Sequence, residues 1–333
     1  MSLPENLYIV EGNRLEIFKH SIINAINPDN YYLEATIING EPKGYFYDRV
    51  YIYDAQIGDA DMTIQFTIKN DKLEIIDTQK SIIHVVEKAS NPLANKTVLL
   101  IGDSFTQTDV YPNELSRRLK ETGGLPIADE LENLTFIGTN NFDGLPREGW
   151  SGKSWSHFLS NKSPFYNPKT KQIDFENYCK VNGYKGIDYV VILLGTNDFS
   201  NNTIISSLFN KLISYNPNIK GIVTGVITPT PFGGAGSEGI HTNQTYFKGV
   251  VNSLAYNRKL ETLVKNNYKA TFVFADILPS LDTQNNMQFA KVPSSFRNQT
   301  TLVKQGTNNV HPAKAGYLQI ADIIYNAFVT FLQ

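Results

Sequence analysis

Three short stretches combine residue types able to carry out acyl transfer. The first is Leu100-Ile101-Gly102-Asp103-Ser104-Phe105-Thr106. An apolar run stops at a glycine, which permits a tight turn. Asp or Ser placed next can cap a helix. A serine at such a junction holds its hydroxyl at the carboxyl edge of a sheet, beside the positive end of a helix. That environment suits a nucleophile whose intermediate becomes anionic. A plain N-cap is the simpler use of the same residues. The second stretch, Val190-Val191-Ile192-Leu193-Leu194-Gly195-Thr196-Asn197-Asp198, ends another apolar run. The Asn197 amide there can direct an N–H at a developing oxyanion, or close an Asx turn. The third, Asn308-Asn309-Val310-His311-Pro312, sets a histidine before a proline that suits a first helical turn. Such a histidine can act as the base for a serine hydroxyl, or be an ordinary surface residue.

The elements that must position these residues fall into two textures. From about Leu7 to Glu87 the chain reads as β. Met62-Thr63-Ile64-Gln65-Phe66-Thr67-Ile68 alternates apolar and polar residues, the pattern of a half-buried strand. Tyr45–Tyr47, Val50–Tyr53, Leu73–Ile76 and Ser81–Val86 are further strand candidates, and such spacing suggests a small sandwich. Tyr45, Tyr47, Tyr51 and Tyr53 form either a sugar-stacking face or core and cross-strand pairs. His84, among strand residues, reads as structural. Glu87–Lys96 is polar, holds Pro92 and reads as a linker. Beyond it, continuous apolar strands (Thr97–Ile101, Tyr189–Leu194, Ile219–Ile227, Ala270–Ile277) alternate with helical stretches (Asn113–Glu121, Ile204–Ser214, Phe247–Asn266, Ala313–Leu332). This is the signature of a parallel sheet covered on both faces. Gly138–Pro168, Thr228–Gln244 and Pro279–Asn309 read as long loops, which gather at the carboxyl ends of such strands. Arg147, His241 and Arg297 lie in them and read as solvated loop groups. The expected division is an accessory β-sandwich over residues 4–90 and a catalytic domain over 91–333.

Composition narrows the chemistry. Thirty Lys and Arg against 32 Asp and Glu give a net charge of −2, with no basic excess to attract nucleic acid. Cys179 is the single cysteine, so neither an intrachain disulfide nor a cysteine-held metal is expected. The apolar runs have strand length, far short of the ~20 residues that span a bilayer. Met1–Glu5 shows no basic stretch leading into an apolar one. The expected address is extracellular or cell-surface, with a leader absent from this chain; the cytoplasm is the alternative.

Taken together in order, the blocks resemble those of the SGNH (GDSL-type) hydrolase superfamily, over about Asn95 to Gln333. Gly102-Asp103-Ser104 is similar to that family's first block and Gly195-Thr196-Asn197-Asp198 to its third. Glu148-Gly149-Trp150-Ser151-Gly152-Lys153-Ser154-Trp155 is similar to its glycine block. The resemblance implies a flavodoxin-like three-layer α/β sheet, preceded here by the small all-β domain. It implies Ser104 as nucleophile and His311 as general base and later acid. The N–H groups of Ser104 and Gly152, with the Asn197 amide, would form the oxyanion hole. Trp150, Trp155 and Asp103 would border the substrate, and no metal or organic cofactor is implied. One departure stands out. Where the family carries an aspartate three residues before the histidine, this chain has Asn308. Asn308 would orient His311 through its amide oxygen, or a main-chain carbonyl would do so, leaving a Ser-His dyad. Asp276 and Asp282 are the nearest upstream carboxylates and do not fit the family position. Ile57–Ile64 weakly resembles the entry of bacterial immunoglobulin-like modules. The expected activity is therefore hydrolysis of a small acyl ester, acetyl foremost, on a carbohydrate. A lipid or thioester hydrolase, or a non-catalytic carbohydrate- or surface-binding protein on a decayed hydrolase fold, are the alternatives.

Overall fold

The computed structural model describes residues 1–88, 95–120, 134–141, 144–230 and 243–332, with side chains of 243–246 outside the description. Most of the expected linker, His241 and most of the loop expected over Thr228–Gln244 lie outside the described residues.

The first seven strands build the β region. They are β1 (Asn6–Val10), β2 (Arg14–Phe18), β3 (Tyr32–Asn39), β4 (Tyr45–Tyr47), β5 (Val50–Asp54), β6 (Met62–Lys69) and β7 (Ile75–Val86). They form a four-stranded sheet in the order β1-β7-β6-β3 and a three-stranded sheet in the order β2-β5-β4. All neighbours are antiparallel except the parallel pair β1 and β7. The period-two face of β6 explains the packing. Met62, Ile64, Phe66 and Ile68 point inward and meet Ile17, Tyr51 and Tyr53 from the other sheet. The tyrosines divide accordingly, with Tyr51 and Tyr53 buried and Tyr45 and Tyr47 exposed. A short helix, α1 (Lys19–Ile22), follows β2.

The second region is a parallel sheet. Its central strand, β8 (Lys96–Gly102), pairs on one side with β9 (Leu134–Ile137) along its first half and with β10 (Glu148–Gly149) at its end. On the other side lie β13 (Tyr189–Leu193), β14 (Lys220–Thr224) and β15 (Phe272–Ala275) in that order. The chain thus winds outward from β8 in both directions, as in doubly wound folds, and the site is expected at the carboxyl end of β8 where the order reverses. Alternation within β8 shows why its sequence is continuously apolar. Val98 and Leu100 pack under α3 (Val110–Lys120) and α8 (Lys314–Val329). Leu99 and Ile101 pack under α5 (Phe175–Asn182), α6 (Asn202–Tyr215) and α7 (Asn243–Leu263). The remaining elements are α2 (Ser104–Gln107), α4 (Trp155–Phe158) and two hairpins. One hairpin is the short pair β11 (Tyr166–Asn167) and β12 (Gln172–Ile173). The other is β16 (Phe289–Ser295) with β17 (Asn298–Gly306). The second corrects the expected Pro279–Asn309 loop. It was hidden because nearly all its residues face solvent, so no apolar alternation marks it. No helix among the described residues is long and apolar enough to cross a membrane.

The β region is fastened to the α/β region. Val10 and Val86 belong to the same apolar cluster as α8 and β8. Phe18 N donates to Pro279 O at 2.9 Å, Ser21 Oγ to Leu281 O at 2.6 Å, and Val10 N to the buried Asn326 Oδ1 at 3.1 Å. Arg49 makes a two-pronged pair with Asp282.

Candidate active site

Strand β8 runs into Gly102 and Asp103, and α2 begins at Ser104. Only glycine fits at 102, because a Cβ there would stand 1.8 Å from Thr106 Oγ1 and 2.8 Å from Leu193 O. Asp103 caps the turn, its Oδ1 accepting from Phe105 N at 3.0 Å. Asp103 is completely buried. Burial pushes its carboxyl up to about 7, with the negative charge of Asp198 adding to the effect and the Phe105 N–H opposing it. The expectation that Asp103 borders the substrate is therefore corrected: its carboxylate faces inward and sets the turn that carries Ser104.

The histidine arrives from the opposite side of the chain. His311 Nε2 lies 2.7 Å from Ser104 Oγ, across 207 residues of sequence. Its ring rests on the buried Phe105 ring, with centroids 5.1 Å apart. Partial burial lowers the His311 pKa below its ordinary value, so the neutral imidazole prevails near neutral pH.

Asn308 does not accept a hydrogen bond from the His311 ring. Its Oδ1 is spent on the backbone, accepting from Val310 N and His311 N at 2.9 Å each. Those two donors fix the amide orientation, since a flipped amide would set NH2 against both N–H groups. The nitrogen, Nδ2, is what faces His311 Nδ1, at 3.4 Å. A donor at Nδ1 favours the tautomer with its proton on Nε2, the reverse of what a base for Ser104 requires. Neither upstream carboxylate replaces it. Asp276 pairs with Arg258 and Asn257, and Asp282 pairs with Arg49. Among the described residues, no carboxylate bonds to His311.

The glycine block lies alongside α2. Trp150 N donates to Gly102 O at 3.0 Å, and Ser151 N donates to Gln107 Oε1. Gly152 takes φ +71°, a left-handed conformation suited to glycine, with open space where a Cβ would be. Among the described residues, the N–H groups of Ser104 and Gly152 donate to no protein acceptor. Asn197 joins the two blocks: its Nδ2 donates to Lys153 O at 2.9 Å and lies 3.4 Å from Asp103 Oδ2. The second contact is long, so one amide hydrogen is held only weakly and can turn to an incoming oxyanion. Gly195 before it, at φ +126°, has no room for a Cβ, which would stand 2.5 Å from the Tyr256 ring.

The tryptophans part company. Trp150 is half-buried and donates its Nε1–H to Glu148 Oε2 at 2.8 Å. Trp155 is completely buried, edge-on to Phe209, and donates to Tyr256 Oη at 2.7 Å. It is a core residue, which corrects its assignment as a substrate wall. Sequence reasoning also passed over Glu148. This buried carboxylate accepts from Thr139 N, Thr139 Oγ1, Tyr178 Oη and Trp150 Nε1, and so ties the glycine block to α5. Arg147, read as a solvated loop charge, is almost completely buried and donates to the Leu145 and Gln107 carbonyls.

A cleft of about 190 Å³ is lined by Thr196 and Val310, the chain neighbours of Asn197 and His311. Phe199, Val226, Ile227, Pro229 and Val310 give it apolar walls, and Thr196, Thr228, Ser253 and Asn309 add polar groups.

Residues 98–324 match the family model for GDSL-like lipase/acylhydrolase. The chain belongs to that family, and it is an ester hydrolase. Among solved structures it is similar to one from Chitinophaga pinensis DSM 2588 described as a possible lipase. That match has 16% identity and a TM-score of 0.41, covering 71% of this chain and 98% of the other. It is also similar to a phospholipase A1 from Streptomyces albidoflavus NA297, at 11% identity and a TM-score of 0.38, covering 70% and 99%. A salicylyl acyltransferase from a tetracycline biosynthetic pathway matches at 10% identity and a TM-score of 0.33, covering 94% and 78%. No match is found among curated proteins.

Proposed function

We propose that the protein is a serine esterase that removes a small acyl group, acetyl foremost, from a carbohydrate hydroxyl. The observation that carries this reading is the 2.7 Å contact between Ser104 Oγ and His311 Nε2 at the carboxyl end of the central strand. Ser104 Oγ attacks the ester carbonyl carbon and its proton passes to His311 Nε2. The oxyanion is met by the N–H groups of Ser104 and Gly152 and by the Asn197 amide. Collapse breaks the bond to the alcohol oxygen, which leaves with the proton from Nε2. Water then attacks the acyl-enzyme, giving its proton to Nε2, and Ser104 regains a proton as the carboxylic acid departs.

The cleft supports the substrate class through its mixed lining, in which Thr196, Thr228, Ser253 and Asn309 offer partners to hydroxyl groups. Its apolar walls favour one second reading, a lipid or thioester hydrolase. A fluorophosphonate probe should label Ser104 and no other serine. Acetylated saccharides should then be hydrolysed with higher kcat/KM than p-nitrophenyl esters of rising chain length. Absence of labelling would point to a binding protein on a decayed fold, and a rate that climbs with chain length to the lipid reading.

A further inference from the structure

The cleft beside Val310 has Thr228 on its wall. Thr228 also lines a second cavity, of about 240 Å³, whose far wall comes from the β region. That wall spans His20 to Asp29 and is faced by Val250 and Leu254 of α7 and by Gln284. The two cavities meet α7 on adjoining positions, Gly249 and Ser253 in one, Val250 and Leu254 in the other. We infer that they form one substrate cleft, and that the β region supplies a distal subsite for the saccharide portion of the ester. This rests on the esterase reading above.

The chemistry of the far end favours a polyhydroxylated occupant. His20 Nε2 lies 2.8 Å from Asp29 Oδ1 and 3.0 Å from Gln284 Nε2. One ring nitrogen either donates to the carboxylate or accepts from the amide, never both at once. Whichever partner it satisfies, the other keeps hydrogen-bonding capacity; both line the cavity, and Lys19 Nζ stands 3.8 Å from Asp29 Oδ1. A hydroxyl both donates and accepts, so it can serve either one. An acyl chain running the same route would set methylenes against the imidazole and the amide, taking water from them with nothing in return. Ile23, Ile26 and Leu254 supply apolar surface of the kind that packs against the C–H face of a sugar ring.

The experiment compares an acetylated disaccharide with p-nitrophenyl acetate, and includes p-nitrophenyl esters of longer chains. In His20→Ala, and separately in Gln284→Ala, the ratio of kcat/KM between disaccharide and p-nitrophenyl acetate should fall about tenfold, through KM. Thr228→Trp, which closes the join, should remove the preference for the disaccharide over the acetylated monosaccharide. If the probe labels Ser104 and the ratios stay at the parent value in all three folded variants, the subsite is overturned while the esterase stands. A preference for long acyl chains that Thr228→Trp abolishes would also overturn it, making the cleft an acyl tunnel. If Ser104 takes no label and no acetylated saccharide is cleaved, both readings fall together.

Discussion

The two halves of the proposed reactive pair, Ser104 and His311, are held in opposite ways. On the serine side Asp103, Thr106 and Tyr111 are buried and bonded. Asp103 caps the turn, Thr106 Oγ1 meets Tyr111 Oη at 2.7 Å, and Asn197 ties the third block to Lys153 O. On the histidine side, His311 follows a solvent-facing hairpin, leans on one aromatic ring and meets an amide nitrogen where an acceptor is needed. On the proposed mechanism the nucleophile is therefore pre-organised and its base is not. A rigid strand end can preserve the geometry for attack while a single amide in place of a carboxylate lowers the supply of correctly protonated imidazole. In this molecule, positioning and proton handling are separable, and substitutions on the two sides should fail differently.

The sharpest test lies on the serine side. Ser104→Ala should lower kcat by about 10⁴-fold or more while leaving the fold intact, because among the described residues Ser104 carries the hydroxyl that bonds to His311. Circular dichroism and turnover measured on the same sample check it, and retained turnover would remove Ser104 from the mechanism. Next comes Asn197→Ala, expected to cut kcat by ~100–1,000-fold with little change in KM, since the amide strengthens its bond only as the oxyanion forms. A loss confined to KM would make Asn197 a binding residue and weaken the picture of a complete serine side.

The histidine side predicts a gain. In Asn308→Asp, one carboxylate oxygen can keep the two backbone N–H bonds while the other accepts from Nδ1–H. The tautomer then becomes the productive one, and kcat should rise by about tenfold or more. The sign on pH follows: burial holds the His311 pKa below its ordinary value. A neighbouring negative charge favours imidazolium and raises that pKa. The acid limb of kcat/KM should move to higher pH in the variant. An unchanged limb would mean that residue 308 does not communicate with Nδ1.

The same asymmetry governs what could be read from the sequence. The serine side was legible because its strands are buried on both faces, and Thr97–Ile101 and Tyr189–Leu194 leave an unbroken apolar record ending in glycine. The pairing of Ser104 with His311 was legible through the order of four blocks. What lay hidden was direction. Trp155 stands beside a glycine block and reads as a wall, yet one turn of α4 points it into the core. Arg147 and Glu148 are charged and fall in a stretch that reads as a loop, yet both are buried because backbone carbonyls, hydroxyls and an indole N–H satisfy them. The amide of Asn308 was expected to offer oxygen. Which atom it presents is decided by two backbone N–H groups that no spacing rule reveals. The docking of the β region rests on scattered contacts such as Arg49 with Asp282, 233 residues apart.

The smallest effect concerns the capping carboxyl. Asp103 is raised from 3.8 to about 7 by burial, so the folded chain keeps a proton that the unfolded chain releases. Between about pH 4 and pH 7 the native state thus binds more protons than the unfolded state, and stability must fall as pH rises through that window. Below the window the contribution is flat and favourable, and above it flat and lost. Asp103→Asn keeps an acceptor for Phe105 N but has nothing to ionise. Its Tm should be less dependent on pH than that of the parent, with the difference between pH 5 and pH 8 reduced by roughly a few degrees. Other buried carboxyls, Asp322 among them at about 6, are common to both proteins and cancel in the comparison. Equal pH dependence in parent and variant would show that Asp103 stays ionised in the fold. It would then put a fixed negative charge beside the donors meant for the oxyanion, leaving the serine side less well prepared than its packing implies.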